Sequence, residues 1–397
     1  MHVALVSPAW PPEKYTNGIV TYVHSLREEL NRAGHTVSVF SSKLADPEPG
    51  VFQVRQSRSR QFVSWVKART RGEWIVPLEW GFAIAGTVAA VHRSTPIDVI
   101  EMEESFGWAA DVGRSTGIPT VVKLHGPAFK SLLDEKRQTR LGAARIVNEG
   151  KALRRQKILI SPAQTTLDDT VSFYGLEPEL SVHIPNPLKL PPSAPLWSLS
   201  TCDRHTLLFV GRFDTLKGGD IVLRAFARVL ESQPNMRLIF VGPDTGVALP
   251  SGQIVHFDEL KSELFPACAE RVEFRGKLPP NEIYDLRIRC LATIVASRWE
   301  NQSYTALEAM LQGCPVVSTD AGGQGEIIEH GVRGLLAKSC SAEDLADKLL
   351  SLIAQPDWAA RLGAGGRAYV LERHAPDRIM KETLEVYESA IRLKVRK

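Results

Sequence analysis

SRWENQSYTALEAMLQGCPVVSTDAGG, residues 297–323, is the stretch that decides the fold of this chain. Within it Ser303 suits a helix N-cap, and the apolar residues that follow keep helical spacing as far as Gly313. A short apolar run, Val316 to Thr319, comes next and ends at a glycine turn. A helix followed at once by a short buried strand is the repeating unit of parallel α/β sheets. The segment therefore predicts a parallel sheet covered by helices.

The same alternation of short apolar runs and longer amphipathic segments extends along the chain in two series. In the first series the predicted strands are Val3–Val6, Thr36–Phe40, Asp98–Met102, Thr120–Leu124 and Ile158–Ser161. In the second series they are Leu207–Val210, Leu238–Val241, Val272–Phe274, Leu291–Ala296 and Val316–Thr319. A stretch rich in Pro and Ser, without periodicity, separates the two series and is typical of a linker.

Two such series predict two doubly wound α/β domains. We expect a first domain over residues 1–188, a linker over 189–205, a second domain over 206–374 and a C-terminal helical segment over 375–397 that crosses back to the first domain. A chain of 397 residues also exceeds the size at which single hydrophobic cores stop growing. Because ligands of these sheets bind at the carboxyl ends of the strands, we expect the site to lie in a cleft between the domains.

The composition excludes several classes of function. A formal charge of +3 is too small to indicate nucleic acid as a partner. The five cysteines are scattered without metal-ligand spacing, which favours reduced thiols in a cytoplasmic protein. We expect no signal peptide and, since no apolar run reaches about 18 residues, only peripheral membrane contact. The loop after the first strand, SPAWPPEKYTNG, lacks the GxGxxG pattern of dehydrogenases.

A candidate phosphate site follows the first strand of the second series. The strand ends at Gly211, Arg212 and Lys217 lie in the next loop, and a helix begins near Gly219. Free backbone N–H groups, the helix dipole and two cations favour a phosphate there, although a solvated loop with two surface cations has the same pattern. No two aspartates stand two positions apart, so a bound diphosphate would be neutralised by cations and helix termini. We therefore expect metal-independent binding.

Two glutamates bracket the start of the helix in the opening segment. Glu300 precedes it, and Glu308 lies about one turn inside it. A partly buried carboxylate needs hydrogen-bond donors, and the vicinal hydroxyls of sugars supply them. The alternative is that Glu308 is an exposed helix residue and Glu300 a loop charge.

Taken together, these motifs resemble a known family. The glutamate pair with LEAM, GxPVV and GG resembles the signature of retaining GT-B glycosyltransferases of family GT4, also called glycosyl transferases group 1, in the glycogen-synthase-like superfamily. GRFDTLKGG, RVEFRGKLPPNEIYDL, KLHGP and IPNPL match further motifs in order, over about residues 3–336. The resemblance implies the GT-B fold, two Rossmann-like domains facing across a cleft.

The resemblance also implies roles for individual residues on the donor side. Arg212 and Lys217 would hold the donor diphosphate, and Glu308 would accept hydrogen bonds from the ribose. Glu300 would bind the transferred sugar as a catalytic residue. The segment Asn301, Gln302 and Ser303 would support sugar or phosphate through its backbone. The base loop would contain Gly276 and Lys277.

On the acceptor side, the resemblance places catalytic His125 near the reacting carbon. Gly18 would let the N-terminal loop approach the diphosphate closely. The sequence departs from the family pattern in three places, one of which is Gly325, where proline is frequent. Asn17 stands where many relatives have a second glycine, and Asn301-Gln302-Ser303 replaces Gly-Phe-Gly, so the transferred sugar stays unassigned.

The implied activity is transfer of a sugar from a nucleotide-diphosphate sugar to an acceptor hydroxyl, with retention of configuration and no cofactor. Polysaccharide or glycolipid assembly, with a sugar or lipid-linked sugar as acceptor, is the expected setting. Two alternatives are a nucleotide-sugar epimerase on the same fold and a non-catalytic nucleotide-binding protein.

A basic segment, RQSRSRQFVSWVKARTRGEW at residues 55–74, interleaves six cations with aromatic and apolar residues. Such a segment in the acceptor domain is compatible with peripheral contact to an anionic membrane. The alternative, slightly favoured by the pattern, is a solvated loop and helix with a few aromatic side chains packed inward.

Overall fold

The structure, a computed structural model, describes residues 1–15, 17–56, 79–132, 139–188, 195–249 and 251–395. The proposed membrane segment 55–74 lies outside the described residues apart from its first two positions. The chain forms two compact units, one of Met1–Pro187 with Pro376–Lys397 and the other of Leu188–Ala375. Each unit contains its own parallel sheet with helices on it.

The first unit contains a seven-stranded parallel sheet of order β3-β2-β1-β4-β5-β6-β7. Its strands are β1 (His2–Ser7), β2 (Thr36–Ser41), β3 (Val51–Gln53), β4 (Val99–Glu103), β5 (Thr120–Lys123), β6 (Ile158–Ser161) and β7 (Leu180–His183). Its helices are α1 (Gly18–Arg32), α2 (Glu79–Ser94), α3 (Trp108–Thr116), α4 (Ala128–Ser131), α5 (Arg140–Leu153), α6 (Gln164–Tyr174) and α14 (Pro376–Val395). The sequence predicted strands at β1, β2, β4, β5 and β6 but missed the two edge strands.

Strands β1, β4 and β6 of this sheet are buried along their whole length, as expected inside a parallel sheet, although β4 contains the glutamates Glu101 and Glu103. Helix α1 begins where the Asn17 side chain accepts a hydrogen bond from the backbone N of Ile19, at 2.8 Å. Asn17 is therefore an N-cap, which gives a structural reason for a residue other than glycine before Gly18.

Helix α14 belongs to the first unit and is joined to its sheet through a buried carboxylate. Glu101 on β4 accepts one hydrogen bond from Tyr22 of α1 and one from Tyr387 of α14, each at 2.8 Å. Lys123 on β5 is also fully buried and donates to the carbonyl of Ile184 at 2.8 Å. Burial raises the pKa of Glu101, while the nearby Lys123 ammonium opposes that rise.

Tyr387→Phe is expected to lower the free energy of unfolding of the first unit by about 1–3 kcal/mol, because a buried carboxylate oxygen loses its donor. Urea denaturation would measure the change. Tyr369→Phe is a suitable control, since its hydroxyl makes a longer 3.3 Å bond to a backbone carbonyl in the second unit. Equal stability of Tyr387→Phe and the wild type would contradict the proposed tie between α14 and β4.

The second unit contains a six-stranded parallel sheet of order β13-β10-β8-β14-β15-β16 and a small three-stranded sheet of order β12-β11-β9. The larger sheet is formed by β8 (Asp203–Val210), β10 (Arg237–Val241), β13 (Val272–Gly276), β14 (Cys290–Val295), β15 (Val316–Thr319) and β16 (Leu335–Ala337). The smaller sheet is formed by β9 (Phe213–Asp214), β11 (Asp244–Ala248) and β12 (Ile254–Val255). The helices are α7 (Gly219–Ser232), α8 (Phe257–Leu264), α9 (Pro280–Arg289), α10 (Tyr304–Leu311), α11 (Gln324–Ile327), α12 (Ala342–Ala354) and α13 (Pro356–Arg373).

Part of the segment predicted as a linker, 189–205, is built into the second unit. Strand β8 begins at Asp203, inside that segment. Upstream, the indole of Trp197 donates to the carbonyl of Cys290 at 2.8 Å, and its backbone N donates to the carbonyl of Gln312 at 2.9 Å. The composition of this stretch is typical of a linker, but one tryptophan is enough to attach it to the core.

Candidate functional site

The loop between β8 and α7 is shaped by a glycine at the helix N-cap. Gly218 has φ of +72°, and a Cβ at this position would lie 2.0 Å from the carbonyl oxygen of Ala296. Only glycine allows this conformation and this close approach to the end of β14. The predicted phosphate site is therefore a tight loop that leads directly into the N-terminus of a 14-residue helix.

The two predicted cations of this loop have acidic partners. The Nζ of Lys217 lies 2.6 Å from Oε2 of Glu300, to which the hydroxyl of Ser297 donates at 2.9 Å. The Nε of Arg212 lies 2.6 Å from Oδ2 of Asp214. The other carboxylate oxygen of Asp214 accepts a hydrogen bond from the backbone N–H of Lys217, at 2.6 Å. Arg212 keeps 48% of its side chain exposed, so its guanidinium can still reach an anion.

Arg298, which the sequence analysis missed, joins this loop to the Glu300 segment. Its guanidinium binds both carboxylate oxygens of Asp220 in α7, at 2.8 and 2.7 Å. It also donates to the carbonyl of Thr215 at 2.5 Å, and its backbone N donates to the carbonyl of Leu216 at 2.8 Å. Burial disfavours the charge, but the Asp220 carboxylate outweighs it and raises the pKa of Arg298. Arg298 therefore holds the loop between β8 and α7 against the segment that contains Glu300.

Glu308 is not an ordinary exposed helix residue. Ser303 caps α10 as predicted, its hydroxyl accepting from the backbone N of Ala306 at 3.3 Å. One turn further on, the Oε2 of Glu308 accepts from Nη2 of Arg287 at 2.5 Å. The Arg287 side chain is 1% exposed and that of Glu308 is 26% exposed. Glu308 is therefore half-buried and ion-paired rather than fully exposed.

The other predicted donor-side residues also lie in the second unit. Asn301, Gln302 and Ser303 are buried between Glu300 and α10. Gly276 is the last residue of β13 and has φ of +60°. Its carbonyl accepts a hydrogen bond from the backbone N–H of Gly242 at 2.8 Å, and the next residue, Lys277, is exposed.

The glycine turn after β15 supports the backbone of Glu300. The N–H of Gly323 donates to the carbonyl of Glu300 at 2.9 Å. A Cβ on Gly322, whose φ is +62°, would lie 2.1 Å from the same oxygen. The two glycines that close the opening sequence segment therefore set the position of the first glutamate.

His125 and Gly18 lie in the first unit. The backbone N–H groups of His125 and Gly126 donate to the two oxygens of Glu104, at 2.9 and 2.6 Å. The imidazole packs edge-on against Tyr22, one turn after Gly18 in α1, with ring centroids 5.0 Å apart. Burial, with a smaller effect of the Lys123 charge, lowers the pKa of His125 to about 3. The imidazole is therefore neutral near pH 7 and suited to hydrogen bonding with a hydroxyl.

Three buried glutamates lie near His125, and no sequence motif indicated them. They are Glu104, its neighbour Glu103, and Glu149 of α5. The Oε1 of Glu149 accepts one hydrogen bond from the hydroxyl of Tyr174 and one from the backbone N–H of Ala128, both at 2.8 Å. Burial and the charge of Glu104 raise the pKa of Glu103 to about 7 and that of Glu149 to about 8.

Within the described ranges, no group of three or more His, Cys, Asp or Glu side chains is placed to share a metal ion. No described helix is both long enough and apolar enough to cross a bilayer. All five cysteines are free thiols.

Comparison with known proteins gives a consistent assignment. Residues 199–369 match the model of glycosyl transferases group 1, and residues 17–187 match that of the glycosyl transferase 4-like domain. The chain is 31% identical over 379 residues to a D-inositol 3-phosphate glycosyltransferase of Rhodococcus jostii, covering 90% of this chain and 81% of that protein.

Solved structures share the fold at lower identity. The sucrose-phosphate synthase of Thermosynechococcus elongatus superposes with a TM-score of 0.74 at 19% identity, covering 98% of both chains. HepE of Anabaena, solved in complex with UDP-glucose, superposes with a TM-score of 0.71 at 20% identity, covering 98% of this chain and 100% of its own. This chain therefore belongs to the group 1 glycosyltransferases of family GT4, which depend on nucleotide sugars, and has the GT-B fold.

Proposed function

We propose that this glycosyltransferase transfers a sugar from a nucleoside-diphosphate donor to an acceptor hydroxyl, with retention of configuration and without a metal ion. The observation that carries the proposal is the ion pair of Lys217 with Glu300 at the N-terminus of α7. In this proposal the cation binds the diphosphate, and the carboxylate beside it binds the sugar hydroxyls. Arg212 adds a second, half-exposed cation to the same loop.

The donor binds along the second unit in this proposal. Its diphosphate lies at the N-terminus of α7, where free N–H groups, Lys217 and Arg212 neutralise it. The sugar hydroxyls bind Glu300, and the buried Asn301–Ser303 segment contributes backbone groups. The ribose binds Glu308, and the base lies at the loop of Gly276 and Lys277.

The chemical step proposed is front-face substitution. The bond between the anomeric carbon and the phosphate oxygen breaks, while the acceptor oxygen forms its bond to that carbon from the same face. The departing phosphate takes the acceptor proton. Catalysis is then positioning and stabilisation of the charge that develops on the diphosphate. Neutral His125 is proposed to bind a sugar hydroxyl on the acceptor side, and Gly18 to admit the N-terminal loop to the diphosphate.

The comparisons guide the choice of substrates to test. HepE was solved with UDP-glucose, and the Rhodococcus relative is described as acting on D-inositol 3-phosphate. We therefore propose a UDP-sugar as the first donor and a cyclic polyol or sugar hydroxyl as the first acceptor. A role in polysaccharide or glycolipid assembly, a cytoplasmic location and membrane contact through residues 55–74 stay predictions from the sequence.

A thermal-shift panel tests this proposal, using UDP-, GDP-, ADP- and dTDP-sugars and the free diphosphates, with and without EDTA. One nucleotide class is expected to stabilise the protein by about 2.7 kcal/mol at a hundredfold excess over Kd, and EDTA is expected to change nothing. The anomeric proton coupling of the transferred sugar then reports retention by NMR. An epimerised sugar formed from donor alone would instead indicate an epimerase. The absence of any shift for folded protein would contradict nucleotide-sugar binding.

A further inference from the structure

The second unit contains a buried cation that the proposed mechanism does not use. Arg287 lies on α9, and its Nη2 donates to Oε2 of Glu308 at 2.5 Å. Its Nε and Nη1 are also buried, and neither has a hydrogen-bond partner within the part of the chain that the structure describes. A buried guanidinium with two unsatisfied donors is unfavourable for folding. Since Glu308 is its one described ion-pair partner, Arg287 orients that carboxylate rather than stabilising the fold in general.

The position of Arg287 relates it to nucleotide recognition. Helix α9 begins at Pro280, directly after the proposed base loop of Gly276 and Lys277. The contact with Glu308 therefore links the helix that follows the base loop to the helix that contains the ribose-binding carboxylate.

The contact also determines what Glu308 can accept. Arg287 engages Oε2, and the side chain of Glu308 is only 26% exposed, so the carboxylate has little freedom to turn. A fixed carboxylate can accept hydrogen bonds from two vicinal hydroxyls held at one place. A nucleotide without a 2′-hydroxyl would leave one hydrogen-bonding position of the Glu308 carboxylate desolvated and unpaired. Sites built to bind a substrate hydroxyl discriminate strongly against the analogue that lacks it.

We propose that Arg287 is a positioning residue that makes the donor site selective for ribonucleoside over 2′-deoxyribonucleoside diphosphates, through its contact with Glu308. This inference rests on the proposed binding of the ribose by Glu308. It assigns a specificity role to a residue that does not itself touch the ligand.

Isothermal titration of UDP and dUDP, in EDTA, tests the proposal on the full chain. The wild type is expected to prefer UDP by at least about 10-fold, on the pattern of sites that bind a substrate hydroxyl. In Arg287→Met the preference is expected to fall to within about 3-fold, mainly because UDP binding weakens. Arg287→Lys keeps a charge without the reach of the guanidinium and should be intermediate. Arg228→Met, which breaks the exposed pair with Glu343 in the same unit, is expected to leave both affinities unchanged.

A double-mutant comparison covers the case in which Arg287→Met does not fold. Glu308→Gln and the Arg287→Met/Glu308→Gln pair should show the same ratio of UDP to dUDP affinity, because Arg287 acts through the carboxylate. A different ratio in the pair would overturn the proposal, as would a folded Arg287→Met with the wild-type ratio. Failure of the wild type to bind any nucleoside diphosphate would overturn the proposed function itself, and this inference with it.

Discussion

Substituting alanine for Lys217 is expected to lower kcat/KM for sugar transfer by about 10²–10³-fold, or about 2.7–4 kcal/mol of transition-state stabilisation. Negative charge grows on the diphosphate as the bond to the sugar breaks, and no metal ion shares that charge in the proposed mechanism. The ammonium of Lys217 lies at the N-terminus of α7 and is 30% exposed, so it can leave Glu300 for a phosphate oxygen. An assay of released nucleoside diphosphate at limiting donor measures the effect.

Lys348→Ala is the matched control for this experiment. Lys348 is 29% exposed and pairs with Asp344 within α12. The substitution therefore removes a similarly exposed cation from the same unit without changing the proposed site. Its kcat/KM is expected to equal that of the wild type. Lys217→Ala activity within about 3-fold of the wild type would contradict the role in diphosphate binding, and rescue of that variant by Mg²⁺ alone would contradict metal independence.

The strands of both sheets could be predicted to the extent that their signals are local. A central parallel strand is buried on both faces and appears as a short apolar run, so Ile158–Ser161 and Val316–Thr319 were predicted with their observed bounds. The edge strands β3 and β7 were missed because they are short and partly exposed and have no such run. Strand β16 and the three strands of the smaller sheet were not predicted either.

In the candidate site, too, features set by neighbouring residues could be predicted from the sequence, and features set by distant residues could not. Ser303 was predicted as an N-cap from its neighbours, since capping is decided within one turn. Arg287 and Arg298 were missed because each is defined by a partner 21 or 78 residues away, Glu308 and Asp220 respectively. A sequence pattern cannot distinguish a buried arginine from a surface one when the partner comes from another element. The roles of the glutamates are implied only by the resemblance to the family, and the structure adds which side chains contact them.

The free energy of unfolding of the first unit is expected to fall by about 2 kcal/mol between pH 6.5 and 8, because two buried carboxyls lose protons in that range. The pKa of Glu103 is raised to about 7 and that of Glu149 to about 8, chiefly by burial. Burial also raises the pKa of Glu104, and the two backbone N–H groups that donate to it oppose that rise, so the expected change counts only Glu103 and Glu149. The folded state then binds more protons than the unfolded state, and stability falls as pH rises.

The pH range in which stability falls is bounded by two groups, His125 and Lys123, whose lowered pKa values make stability rise with pH. The pKa of His125 is lowered to about 3, so the unfolded state binds more protons below its ordinary pKa of 6.5, and stability there rises with pH. The pKa of Lys123 is lowered to about 8, which likewise makes stability rise with pH above that value. Between the two, the carboxyl effect dominates.

Hydrogen exchange measured from pH 6.5 to 8, corrected for the intrinsic exchange rate at each pH, would test this prediction unit by unit. Protection of the amides in β4, β5 and β6 is expected to decrease, whereas that of β14 and β15 in the second unit serves as an internal reference. Glu103→Gln and Glu149→Gln keep neutral side chains of the same shape at all pH values. Each substitution should therefore remove that residue's part of the decrease in stability between pH 6.5 and 8. An unchanged slope in the double variant would mean that these carboxyls are already ionised in the folded protein and that Arg145, whose charge opposes both pKa rises, compensates them more fully than their burial indicates.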